Sequence, residues 1–405
     1  MNYIVIIMVV ALLFGVTDFF TERYPRLQRD IYYIALCTIT FLFTIKYYYG
    51  PDMIHYVPFY EDVPSIHEIL HPADATKGYE PAFMLFCRIL SDCGVSFYWM
   101  TAIVSLFYFA SIALLFRNIE RNRAFALAIL VILDYRCIFS TYRQCLAVSF
   151  FILMVLCLQN RKYLWMALMA FLTIAFHKSG AFVVSAVLLL YIVRSKWIKP
   201  YLYQLLLAVL IMIVLIPTAQ ISSAFLSHLP LPENYIDSLE HHLSLGRQIQ
   251  MVFLVYAATL LCAVHFTQYR YTRFQAIAAT ALIGLVLIVM LYQYYYLLER
   301  MRSYFLPIVI AFIFQMMQQS ENEKVSIPYS TLLKQLSCVL IVAYLSHYIL
   351  FFYNGTKKLK YNVYATCTVF DLRHHTAKEL RDHQVRLSQQ YWWYDFMSTN
   401  DNKLK

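Results

Sequence analysis

"YLWMALMAFLTIAFHKSGAFVVSAVLLLYIV", residues 163–193, is two apolar runs joined by one strongly polar interruption, His177-Lys178-Ser179-Gly180. The first run, 163–176, has fourteen residues and the second, 181–193, thirteen. As helices rising about 1.5 Å per residue, each spans only about 20 Å. A hydrocarbon core is roughly 30 Å thick and takes about twenty residues to cross. The turn is therefore expected to lie recessed below one membrane surface, at the floor of a water-filled cavity. Polar backbone at that depth is tolerated only where protein buries it or a cavity solvates it.

The same alternation of apolar run and short polar turn extends over most of the 405 residues. Hydrophobic residues make up 61% and charged residues 14%, against about a quarter charged in soluble domains. An all-α polytopic membrane protein follows. About twelve transmembrane helices are expected, at 2–20, 30–49, 97–116, 124–141, 145–159, 163–176, 181–193, 202–217, 250–267, 275–297, 303–318 and 331–352. Residues 81–96 read as a shorter amphipathic or re-entrant helix. The membrane domain is thus 1–352, with outer loops at 50–80 and 218–249, and 353–405 form a polar tail. Within the tail, "YWWYDFM" (391–397) suits a membrane surface. Residues 1–20 read as a first span, since they have neither a basic leading region nor a small-residue cleavage site. The nine cysteines form no CxxC pair and read as small buried hydrophobes.

Loop charge sets the orientation. Arg23, Arg26 and Arg29, then Arg117, Arg121 and Arg123, then Arg161 and Lys162, Arg194, Lys196 and Lys199, and Arg270 and Arg273 recur on one side. The loop at 50–80 is acidic, with Asp52, Glu61, Asp62, Glu68, Asp74 and Glu80 against Lys77. The positive-inside rule puts the basic set in the cytoplasm, so an even span number leaves both termini outside. The net charge of +10 sits in these short loops and does not indicate nucleic acid.

Cations on the outer side are then the anomaly. They are Arg143, Lys178, Arg247, Arg300 and Arg302, with Arg136 just inside the outer leaflet. Arg136 precedes Arg143 by seven residues, two helical turns, so the two are expected to share a face. Singly, each arginine could snorkel to headgroups or pair with an acid such as Glu299 or Asp134. As a set, such costly charges mark a functional cavity, and arginine's planar fork suits phosphate oxygens. Asp52 and Glu80 stand at the two ends of the acidic loop, where a carboxylate or a histidine can act as general base towards a hydroxyl. Tyr292, Tyr295, Glu299 and Arg302 fall at one-face helical spacing, a pattern that also fits simple packing.

Five motifs in order, "YYYGPDMIHY" (47–56), "GYEPAF" (78–83), "YRQCLAV" (142–148), "AFHKSGAF" (175–182) and "ERMRSYF" (299–305), resemble the EpsG family of Wzy-like surface-polysaccharide polymerases. The resemblance runs from about residue 45 to 352. It implies a GT-C-like polymerase and ligase architecture. It also implies an inverting glycosyl transfer that needs no metal or other cofactor. The donor is a growing glycan on undecaprenyl pyrophosphate, the acceptor a lipid-linked repeat unit, and the site faces the periplasm at the inner membrane of a bacterium. A chain-length regulator is an expected partner.

Carried onto this sequence, Arg143, Arg300 and Arg302 take the pyrophosphate-binding positions, with Gln144 and Tyr79 beside them in the same motifs. His177 takes the family's FH position, and Asp52 and Glu80 the acids flanking the first outer loop. Whether His177 or Glu80 is the base stays open. The alternatives are a related ligase, a lipid-linked oligosaccharide flippase, and a metal-dependent transferase using Glu61 and Asp62. A flippase needs cations through both leaflets, whereas these cluster at one face.

Overall fold

The computed structural model describes residues 3–46, 52–70, 79–192, 275–290, 295–322, 339, 341–350, 375–376, 378–380 and 382. Its regular elements are helices: α1 (Tyr3–Phe20), α2 (Pro25–Thr44), α3 (Met53–Glu61), α4 (Ile66–Leu70), α5 (Pro81–Asp92), α6 (Phe97–Phe116), α7 (Arg123–Ser140), α8 (Tyr142–Gln159), α9 (Tyr163–Phe176), α10 (Ser179–Ile192), α11 (Gln275–Met290) and α12 (Tyr295–Asn322). α1, α6 and α8 are long and apolar enough to cross a membrane. Shorter apolar helices run over Tyr163–Phe176, Ser179–Leu188, Ala276–Ile288 and Ile341–Leu350. The expected spans at 202–217 and 250–267, and the loop at 218–249 between them, lie outside the described residues.

The chain divides into two compact units, the first comprising Met1–Ser149, Ala175–His177 and Met317–Lys405, the second Phe150–Ile174 and Lys178–Met316. In the first, α7 packs against α1 and α2 around a polar node. Asp18, fully buried near the end of α1, accepts hydrogen bonds from the Ala124 and Phe125 backbone N–H groups at 2.7 and 3.2 Å. It thus caps the first turn of α7, whose donors have no helical partner. Gln28 of α2 donates to the Asp18 carbonyl at 2.8 Å and to Asn122 Oδ1 at 2.9 Å. Lipid tails are as apolar as leucine, so close packing and such interhelical hydrogen bonds carry association in a bilayer. Gly15 lets α1 and α7 approach, since a Cβ there would meet Ala128 Cβ at 2.9 Å. Phe43 joins α2 to α6 and α7 through Phe109 and Phe139 at 5.2 and 4.6 Å.

In the second unit α10 packs on α11, and Phe151 of α8 meets Tyr304 and Phe305 of α12 edge-on at 5.7 and 5.6 Å. Gln159 Oε1 accepts from the Ala276 N–H at 2.8 Å and so caps α11.

Three details differ from the sequence reading. The loop expected at 50–80 holds helices α3 and α4 among its described residues, with Pro58 inside the first. The interruption at 177–180 narrows to His177 and Lys178, because Ser179 and Gly180 already belong to α10. Lastly, the expected spans at 124–141 and 145–159 are separate helices as read, but Thr141 between α7 and α8, at φ −103° and ψ 66°, breaks the continuous helix that a shared face of Arg136 and Arg143 requires. Arg136 and Arg143 therefore stand on different helices, and the seven-residue spacing does not put them on one helical face.

Candidate functional site

Arg143 is the second residue of α8, just past the break at Thr141. Its Nη1 donates to Glu80 Oε2 at 2.7 Å in an ion pair whose side chains are 23% and 7% exposed. Its Nε donates to Tyr56 Oη at 3.2 Å. The guanidinium lies 4.7 Å from the Tyr79 ring centroid and 5.8 Å from that of Tyr56. Such short cation–ring distances are attractive, the more so out of water. Phe59 stacks on Tyr79 with centroids 4.0 Å apart, and Tyr79 Oη donates to the His55 carbonyl at 3.2 Å. Tyr79 is thus placed by Phe59 and His55 and shares its ring with Arg143.

The elements explain this convergence. Glu80 is the extended residue before α5, at φ −72° and ψ 142°, and Pro81 opens the helix, where its missing N–H costs nothing. Its carbonyl accepts from Phe83 and Met84 N–H groups, so the carboxylate leaves from a fixed backbone. Asp52 stands in the same position before α3, its carbonyl accepting from His55 and Tyr56. Tyr56 follows one turn on. Burial chiefly, and Asp52's charge to a lesser degree, push the Tyr56 and Tyr79 phenols up against Arg143's opposing pull, Tyr79 to about 12. Both phenols stay protonated at neutral pH, so Tyr56 Oη accepts from Arg143 while keeping a proton to donate.

Of the residues expected from sequence, Asp52, Tyr79, Glu80 and Arg143 come together in the first unit. Gln144, beside Arg143 on α8, is buried. His177, directly after α9, is buried in the same unit, and Phe176 before it meets the Phe86 ring of α5 at 6.1 Å. Lys178, Arg300 and Arg302 belong to the second unit, Lys178 exposed and the two arginines half-buried. There Ser179 Oγ donates to Tyr304 Oη at 3.2 Å, tying the start of α10 to the helix that carries both arginines. Arg136 lies on α7, its side chain outside the described part, and Arg247 lies outside the described residues, as does Tyr292. Arg88, on α5, pairs with Asp92 at 2.6 Å and donates to the Val63 carbonyl at 3.2 Å, a local brace. Glu61 and Asp62 are exposed, and no cluster of three or more His, Cys, Asp or Glu suited to a metal occurs among the described residues.

Sequence reasoning passed over Tyr56 and Phe59, although Tyr56 closes the quoted "YYYGPDMIHY". It also passed over Lys46, a buried cation just past the C-terminal end of α2. The sorting of cations by side that isolated Arg143 contains the signal for Lys46 as well.

Apolar helices packed around a buried arginine–carboxylate pair fit a helical membrane protein. The EpsG family model matches residues 30–366, most of the chain. The protein belongs to the EpsG family, a family of Wzy-like polysaccharide polymerases. No curated protein and no solved structure matches it significantly.

Proposed function

We propose that this chain polymerises a surface polysaccharide, O-antigen in type. A growing glycan passes from undecaprenyl pyrophosphate onto a lipid-linked repeat unit at the periplasmic face of the inner membrane, with inversion and without a metal. The observation that carries the reading is the buried pair Glu80–Arg143. Glu80 has the chemistry of a base and Arg143 that of a pyrophosphate ligand, and each currently occupies the other.

A donor pyrophosphate competes with Glu80 for the Arg143 fork. Once it has taken that fork, Glu80 loses the Arg143 contact and its carboxylate can accept a proton. The acceptor hydroxyl then attacks the anomeric carbon, its proton passes to Glu80, and the bond from that carbon to the pyrophosphate oxygen breaks. The electron pair leaves on undecaprenyl pyrophosphate, whose developing charge Arg143 stabilises; the family motifs alone assign Arg300 and Arg302 to the same anion. Lys178, Arg136, Arg247 and Gln144 are assigned to the same anionic substrate, His177 to its positioning, and Asp52 to the polarisation of Tyr56 and Tyr79.

The test is polymerisation by the purified full chain from lipid-linked repeat units, with EDTA present. Wild type is expected to give a ladder of products, and Arg143→Ala and Glu80→Gln none beyond single units. Full ladders from both variants would sink the site, and a wild type inactive until metal is restored would sink the metal-free mechanism.

A further inference from the structure

Lys46 follows α2 and is fully buried, with no exposed surface. Its Nζ donates to the Ile138 carbonyl at 2.5 Å and lies 4.9, 5.4 and 5.8 Å from the ring centroids of Tyr142, Phe139 and Phe43. No described carboxylate pairs with it. Ile138 is in the last turn of α7, where the Thr141 N–H still reaches the Cys137 carbonyl but the break leaves the Ile138 carbonyl without a helical donor. A cation there answers both the orphan carbonyl and the negative end of the helix dipole. A buried ammonium is costly even so, and an apolar residue of the same length packs such a site at lower cost.

The aromatic cage leads directly to the site. Tyr142, whose ring lies nearest to the Lys46 ammonium, is the residue before Arg143. Its ring meets Tyr56 edge-on at 5.4 Å and Phe97 at 6.2 Å. Tyr56 in turn accepts the Arg143 Nε hydrogen bond. From Lys46 to Arg143 each link is a short contact: ammonium to Tyr142 ring, Tyr142 ring to Tyr56 ring, Tyr56 hydroxyl to guanidinium.

We propose that Lys46 is a positioning residue for the polymerase site: its ammonium pins the carbonyl end of α7 and the Tyr142 ring, and thereby holds the first turn of α8 so that Arg143 presents its fork. The proposal rests on the role given to Arg143 above. It is a structural role bought with stability, so an uncharged substitute relaxes the fold while loosening the site.

The experiment compares wild type, Lys46→Met, Lys46→Arg and Arg143→Ala as purified full chains, measuring melting temperature and polymerisation kinetics on lipid-linked repeat units. Lys46→Met is expected to melt at or above the wild-type temperature. Its kcat is expected to fall roughly ten- to a hundredfold, as a displaced active-site group does, with KM changed less than about threefold. Lys46→Arg, which keeps a cation able to cap Ile138 and sit among the rings, is expected to recover most of the lost kcat. Wild-type kcat in Lys46→Met beside an inactive Arg143→Ala overturns this inference alone. A fall in kcat matched by a fall in melting temperature, and not recovered by Lys46→Arg, makes Lys46 a packing residue and also overturns it. Full activity in Arg143→Ala removes the site reading itself, and the positioning role with it.

Discussion

Glu80 and Arg143 are each other's counter-charge, so a change at either is felt by both. Arg143→Ala leaves a mostly buried carboxylate facing two tyrosines. Breaking a buried pair from one side costs about 3–5 kcal/mol, and the part-exposed guanidinium lowers that to about 1–3 kcal/mol here. Thermal unfolding of the detergent-purified variant measures it. Glu80→Gln behaves differently, because a neutral amide no longer competes for the guanidinium. Affinity for undecaprenyl pyrophosphate is expected to rise while turnover disappears, a split that calorimetric titration beside the polymerisation assay reads directly. Weaker binding in Glu80→Gln would show that the pair does not compete with the ligand. Arg143→Lys is expected to keep under about a tenth of activity, since a point charge neither forks nor stacks on Tyr79. At this scale the motifs singled out Glu80 and Arg143, which the structure pairs. The sequence did not disclose which charges meet. That Glu80 reaches Arg143 across 63 residues depends on how α5 and α8 pack, which no local pattern encodes.

Helices show where local pattern suffices. α9 covers Tyr163–Phe176, as its apolar run reads, because Lys162 and His177 bound it with nothing ambiguous between. α3 was hidden because Pro58 and mixed polarity in "MIHYVPFYE" give neither an apolar run nor a clean helical period. The break at Thr141 was legible, because polar Ser140 to Gln144 separate the expected spans at 124–141 and 145–159, whereas the kinked backbone at Asp134, φ −119° and ψ 22°, leaves no trace in composition. Two substitutions test the element contacts. A Cβ at Gly180 would lie 2.6 Å from the Thr173 carbonyl oxygen, so α9 and α10 must part. Gly180→Ala is expected to cost roughly 1–3 kcal/mol as an overpacked contact. It should also lower activity, because His177 and Lys178 are the whole connection between those helices. Asp18→Ala removes the cap on α7 and should cost about 1–2 kcal/mol, whereas Asp18→Asn, which still accepts both N–H bonds, should cost less. Equal melting temperatures for the two Asp18 variants would show that the cap contributes nothing.

At the scale of the whole molecule, the functional reading turns on which face of the membrane carries the Glu80–Arg143 site. Family membership makes the chain a Wzy-like polymerase, and the loop charges carry the expectation for its sides. Glu61, exposed at the end of α3, belongs to the same acidic loop as Glu80, and Lys162, exposed between α8 and α9, belongs to the expected basic side. Cysteines placed at each, in a chain whose native cysteines have been replaced, separate the two faces. A membrane-impermeant thiol reagent added to intact cells with a permeabilised outer membrane is expected to label Glu61→Cys and to spare Lys162→Cys until the cells are lysed. Polymerisation from lipid-linked units in the replaced background, at wild-type level, establishes that the labelled chain is the folded enzyme. The reverse labelling would put Glu80 and Arg143 on the cytoplasmic side, where repeat units are assembled rather than joined, and the proposed donor and acceptor would no longer reach them.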